Sequence, residues 1–156
     1  MDITIRKTIV EDLELFYEFQ LNEEARYMAA FSANSYKLKD AYLLKFGKLL
    51  MEPTVNMQTI VVDGIVVGTV SKFEMHGNAE LTYWIERSRW GQGIASKALK
   101  LLLEIEPMRP IYGAVAFDNI GSQKVLEHCG FSKVGTDSGF AEARGQEVAE
   151  FIYRLD

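Results

Sequence analysis

Two glycine-punctuated segments carry the residue types and spacings that could do chemistry. The first is Arg87-Ser88-Arg89-Trp90-Gly91-Gln92-Gly93-Ile94-Ala95-Ser96, set between a strand-like run, Leu81 to Ile85, and a helix-like run, Ala95 to Glu104. Glycines at 91 and 93 and alanine at 95 strip side chains from the turn where a helix begins. The first N–H groups of a helix have no intrahelical acceptor, and the helix dipole adds roughly half a positive charge there. Such a turn is a cradle for an anion, above all phosphate. Four cations (Arg87, Arg89, Lys97, Lys100) and no acid lie between 87 and 100, in a chain of net charge −5. A glycine-rich turn can also serve only to end a strand and pack a helix closely, and this segment alone leaves both readings open.

The second segment runs Asp118-Asn119-Ile120-Gly121-Ser122-Gln123-Lys124-Val125-Leu126-Glu127-His128-Cys129-Gly130-Phe131. Asn119 is a residue type preferred at a helix N-cap. Ser122, Val125, Leu126 and Cys129 form one stripe, which turns the Ser122 hydroxyl inward. A buried helical serine either bonds back to a carbonyl one turn earlier or offers its proton elsewhere. Glu80 stands at the head of the strand leading to the first segment, where a β-branched residue is the commoner choice. It reads either as a charge at a strand end or as a base. Cys129 has no basic neighbour and reads as a small core residue.

Together, and in this order, the two segments resemble those of the GCN5-related N-acetyltransferases, most closely the branch of ribosomal-protein N-terminal acetyltransferases. The resemblance extends over essentially the whole chain. It implies acetyl transfer from acetyl-coenzyme A (acetyl-CoA) to a primary amine, either a protein N-terminal α-amine or a small-molecule amine. Separately from the resemblance, the two histidines, His76 and His128, lie far apart with no spaced ligand partners, so no metal is expected. Backbone groups around Trp90, Gly91, Gln92, Gly93, Ile94, Ala95 and Ser96 would hold the coenzyme diphosphate. Trp90 stands where the superfamily more often has Arg or Gln. Tyr83 and Ile85 would run beside the pantetheine arm, whose amides can bond to a strand edge, and a strand N–H near Ile85 would face the developing oxyanion. Asn119 is expected near the cofactor. Many members of the superfamily donate a proton from a tyrosine at the position of Leu126, which cannot do so; the ribosomal-protein branch uses a serine matching Ser122. By the same resemblance Glu80 acts as a general base, directly or through water, or positions the amine. A non-catalytic coenzyme-binding sensor is the rival, and a nucleotide enzyme would lack its Walker lysine or Rossmann acid.

The elements that must position these residues can be read from periodicity and turn chemistry. Ile3 and Ile5 mark a first strand. Thr8-Ile9-Val10-Glu11 reads as a capping box opening a helix from about Ile9 to Gln20. Leu21 to Leu38 is irregular or short-helical, and its Tyr27, Met28, Phe31 and Tyr36 either line an acceptor cleft or fill core. A helix follows from about Lys39 to Met51. Strands are expected over Met57–Val62 and Ile65–Phe73, joined by an Asp63-Gly64 hairpin turn, and over Ala79–Ile85. Beyond the helix that Pro107 stops come a strand at Ile111–Ala116 and the Asn119 helix, ended by a left-handed Gly130 with Phe131 as its apolar partner. Strands near Ser132–Asp137 and Glu147–Leu155 complete the chain. The order β-α-α-β-β-β-α-β-α-β-β specifies an α/β (α+β) fold: a mixed, mostly antiparallel central sheet with helices on both faces.

At 156 residues the chain fits one domain over 1–156. Apolar residues at 48% and charged ones at 25% describe an ordinary globule. No apolar run approaches a membrane span, the first residues lack a signal-peptide layout, and a lone cysteine fits a cytoplasmic protein. The acidic balance argues against nucleic-acid partners, and a monomer or a homodimer is expected.

Overall fold

All 156 residues are described by a computed structural model. Its strands are β1 (Ile3–Lys7), β2 (Asn56–Val62), β3 (Ile65–Met75), β4 (Asn78–Ile85), β5 (Ile111–Ala116), β6 (Ser132–Ala141) and β7 (Gln146–Leu155). Its helices are α1 (Leu13–Gln20), α2 (Glu23–Ala29), α3 (Lys39–Leu50), α4 (Ile94–Ile105) and α5 (Ile120–His128). The sheet order is β1-β2-β3-β4-β5-β7-β6. Every neighbouring pair is antiparallel except β4 and β5, which run parallel.

The order matches the sequence expectation, with α2 formed inside the segment read as irregular or short-helical. Asp63 and Gly64 both take positive φ, 49° and 82°, as a type I′ turn requires. At the end of α5, Gly130 has φ 90° and the Phe131 N–H bonds Leu126 O at 3.0 Å, while Phe131 is buried. The capping box differs. Thr8 spends its hydroxyl on Thr59, at 2.8 Å. It is Asp12 that accepts the Ile9 N–H, at 3.0 Å, while holding Arg6 through two 2.8 Å bonds. A 3-10 turn over Val10–Asp12 therefore precedes α1.

Two apolar layers flank the sheet. On one face α4 and α5 cover a core that includes Leu81, Ile85, Ile94, Leu99, Leu102, Ile111, Leu126 and Tyr153. Leu13, Phe16, Tyr42 and Met57 pack α1 and α3 onto the other. Tyr36 meets Tyr42 and Phe46 edge-on and packs against this second layer, so it is core rather than cleft. Arg26, fully buried, bonds Gln20 Oε1 at 2.6 Å and Ala33 O at 2.9 Å, which fixes α2 between α1 and the following segment.

Candidate active site

Strand β4 pairs with β3 along its whole length, ending at Gly68↔Ile85. With β5 it pairs only at Ala79↔Ile111 and Glu80↔Tyr112, and beyond these two pairs the strands splay. The Glu86 N–H bonds Val67 O at 2.8 Å. Backbone groups of alternate strand residues point to opposite sides, so those of Tyr83 and Ile85 face the gap. One of them is already engaged: the indole N–H of Trp90 donates to Ile85 O at 3.0 Å.

The glycine turn lies at the mouth of this gap. Gly91 and Gly93 have φ 79° and 78°, a region in which an L side chain is strained. A Cβ built on either would meet nothing within 4 Å. The glycines are therefore required by backbone conformation, and the space above the turn is open. No backbone N–H from Gly91 through Ser96 has an acceptor; the first to find one is Lys97, on Gly93 O at 3.2 Å. Six consecutive donors without an acceptor at the positive end of a twelve-residue helix fit a diphosphate. Of the nearby cations, Arg87 is committed elsewhere. It pairs with Glu24 at 2.8 Å and lies 4.5 Å over the Trp90 ring.

Across the gap, α5 presents Ser122. Its Oγ accepts the Tyr83 phenol at 2.7 Å and makes no bond back onto its own helix. Burial pushes the Tyr83 phenol up to about 12, the bond to Ser122 opposing the shift. Asn119 caps α5 by accepting the Ser122 N–H at 3.2 Å and donates to Met28 O at 3.3 Å, so its side chain is engaged structurally. Leu126 is buried against Gly113. Cys129, half-buried, lies 3.6 Å from Ser96 O, and burial raises its thiol.

Glu80 belongs to the opposite face of the sheet. Ala79, Leu81 and Ile85 point into the α4 layer, so Glu80, Thr82 and Trp84 point towards α1, whose Phe19 carbonyl accepts the Trp84 indole at 3.3 Å. Thr82 and Ala114 are exposed although they lie in central strands; no helix covers the floor there. Glu150 stands opposite both Ala116 and Asp137, on this same face. Burial pushes Glu80 above the ordinary carboxylate range, with His76 opposing. Burial does the same to Glu150, reinforced by Asp137 and Glu80.

One wall of this floor is strapped in place. Arg144, from the β6–β7 turn, holds Asp118 through two 2.8 Å bonds and donates to Tyr27 O at 2.8 Å. It also lies 4.3 Å over the Tyr27 ring. Phe31 packs on the small cluster of Ala30, Ala116, Ala141 and Val148. A separate open hollow of about 500 Å³, lined by Glu18, Phe19, Asn22, Glu86, Arg87 and Ser88, includes neither the Ser122–Tyr83 pair nor the glycine turn. The structure thus brings together Tyr83, Ile85, Trp90, the turn and Ser122, and sets Glu80 across the sheet from them. Sequence reading missed the Tyr83 phenol, Glu150 and Arg144. No helix is long and apolar enough to cross a membrane, and no cluster of His, Cys, Asp or Glu has the makings of a metal site.

Residues 2–132 match the model of the acetyltransferase (GNAT) domain family. An uncharacterized N-acetyltransferase p20 of Bacillus licheniformis is 26% identical over 164 aligned positions, covering 98% of this chain and 92% of its own. Among solved structures, the microcin C7 self-immunity acetyltransferase MccE, in complex with acetyl-CoA and AMP, superposes with a TM-score of 0.81 at 17% identity. The alignment covers 99% of this chain and 92% of that one. The ribosomal-protein-S5-alanine acetyltransferase of Vibrio fischeri gives a TM-score of 0.77 at 17% identity, over 99% and 93%.

Proposed function

The chain belongs to the GNAT acetyltransferase family, and from that premise we propose that it transfers the acetyl group of acetyl-CoA to a primary amine. The observation that carries this reading is the run of acceptor-free N–H groups from Gly91 to Ser96 at the mouth of the β4–β5 gap. These donors, with the Asn119 end of α5 nearby, would take the coenzyme diphosphate. The gap-facing backbone groups of Tyr83 and Ile85 would run along the pantetheine arm, and the thioester would lie against Ser122.

Acetyl transfer needs the thioester and a neutral amine held together, which can supply roughly 7–11 kcal/mol of the barrier reduction. Acid–base assistance adds about 10²–10⁴-fold. Ser122 is positioned to protonate the departing sulfur. Glu80, reached from the opposite face through the splay, takes the proton of the amine directly or through water; its raised pKa makes it a stronger base than an ordinary carboxylate. The uncovered floor beside Glu80 and Glu150 is acidic and suits a cationic acceptor. With pKa near 7.7–8.0, roughly a tenth of an α-amine is neutral at pH 7, against well under about 0.1% of a lysine. One weak base therefore favours α-amines and other amines of low pKa, in keeping with the resemblance to ribosomal-protein acetyltransferases.

The test is thiol release from acetyl-CoA over a panel of peptides with free N-termini, polyamines and amino acids, run beside Ser122→Ala. Turnover with at least one amine, reduced roughly 10²–10⁴-fold in the variant, is the expected result. Tight coenzyme binding with no turnover across the panel would replace this reading with that of a coenzyme-binding sensor.

A further inference from the structure

Ser122 is the only partner of the Tyr83 phenol. The 2.7 Å bond joins β4 to α5 across 39 residues. A serine hydroxyl has one proton and two lone pairs. Tyr83 occupies one lone pair, and Ser122 has no bond back to its helix, so the serine proton has no acceptor within the protein. Both ends of this pair are fixed. Tyr83 sits in a strand fully paired with β3, while Asn119 caps the first turn of α5 and Arg144 grips the preceding Asp118.

We propose that Tyr83 is a positioning residue for acetyl transfer, acting through Ser122: its phenol fixes the serine rotamer and holds the charge that develops on Oγ as the proton leaves. The inference rests on Ser122 as the proton donor. In the step, the lone pair of the neutral amine forms the C–N bond to the acetyl carbon, and the thioester C–S bond breaks with its electron pair going to sulfur. The Oγ–H bond of Ser122 breaks as the S–H bond forms. The electron pair left on Oγ stays within the Tyr83 hydrogen bond until a proton shed by the acylated nitrogen returns to it through solvent. A hydrogen bond given to the charged form of an acid favours that form, which makes an otherwise poor acid usable. Even raised by its burial, the phenol is a stronger acid than a serine hydroxyl, so across the 2.7 Å bond its proton shifts towards Oγ as charge develops there and shares that charge.

A merely structural account is available, since a buried phenol usually finds a partner. Kinetics separate the two. Tyr83→Phe removes one oxygen, and coenzyme affinity by calorimetry verifies that the variant is folded and loaded. If Tyr83 acts through Ser122, kcat falls about 10- to 100-fold, KM for acetyl-CoA holds, and the deficit shrinks for an acetyl donor with a more acidic thiol. In a Ser122→Ala background the same substitution costs nothing further. Near-normal kcat in Tyr83→Phe, while Ser122→Ala is slow, overturns this inference and leaves the Ser122 reading standing. Losses that multiply in the double variant also overturn it. Normal turnover in Ser122→Ala overturns both. Should Tyr83→Phe fail to fold, 3-fluorotyrosine at 83 keeps the ring and makes the phenol a stronger donor. There kcat rises or holds if the inference is right, and a fall overturns it.

Discussion

Replacing Gly93 by alanine separates what the turn needs in order to fold from what it needs in order to bind. Gly93 is the left-handed N-cap of α4, with φ 78° and ψ 9°, and its Cβ would meet nothing within 4 Å. No clash opposes the substitution in the free protein, so the folding cost is the conformational one alone, about 1–2 kcal/mol. For a domain of this size that lowers Tm by about 2–8 °C. Binding should suffer far more, because the new methyl enters the open space that the donors face. Each charge-assisted bond contributes about 1.5–3 kcal/mol. Denying the diphosphate two of them costs about 3–6 kcal/mol, or roughly 10²–10⁴-fold in affinity. Gly93→Glu adds like-charge repulsion and should exceed the alanine variant. Scanning calorimetry reads the first quantity and titration calorimetry with coenzyme A the second. Affinity within twofold of wild type in a folded Gly93→Ala protein would refute the diphosphate assignment. Wild-type binding should also weaken with added salt, through Arg89 and Lys97 more than through Arg87, whose charge Glu24 already meets.

Glu80→Gln should move the acid limb of the pH–rate profile upward, from the Glu80 carboxyl to the acceptor amine's own deprotonation. The wild-type rate falls as pH drops through the raised Glu80 value, and the defect of the variant should lessen as pH rises and the acceptor deprotonates unaided; a defect equal at every pH would make Glu80 a positioning residue. Arg144→Gln breaks the strap to Asp118 and Tyr27 and should cost about 1–2 kcal/mol, reduced because Asp118 is partly exposed to solvent. Arg144 holds Asp118 below the ordinary carboxylate range, so this stability is present above that range and is lost as pH falls through the lowered value. Urea-unfolding curves of the two proteins should therefore converge in acid. Trp90→Phe deletes the indole bond to Ile85 O and should lower stability by about 0.5–1.5 kcal/mol and raise the coenzyme Kd several-fold; an unchanged Kd would make the indole a packing residue only.

What was legible in the sequence was local. The Asp63-Gly64 turn, the Gly91–Gly93 turn and the Gly130–Phe131 cap each depend on backbone preferences of two or three adjacent residues, and each formed as read. The Thr8 capping box failed for the opposite reason: Thr59, 51 residues away, took the hydroxyl, and Asp12 supplied the cap. The candidate site divides the same way. Its turn and Ser122 were visible as residue types, but the Tyr83 phenol could be placed on Ser122 only once β4 and α5 were packed. Glu150 comes near Glu80 because β7 inserts between β5 and β6, an order that no periodicity encodes. Arg144 reaches Asp118 and Tyr27 from a turn 26 and 117 residues distant, and nothing in its own neighbourhood announced that role.

The two-pair contact between β4 and β5 has a consequence for amide exchange with solvent. In most sheets, central strands protect their amides best, because exchange there requires opening the core. Here the Tyr83 and Ile85 amides lie in a central strand, yet they face a gap with no ladder partner. They should exchange at the pace of surface groups, while the Glu86 amide, bonded to Val67 on the other side of the same strand, exchanges slowly. A bound pantetheine arm would act as a temporary strand and slow exactly this pair of fast amides, so the pattern of protection along one strand would report coenzyme occupancy directly.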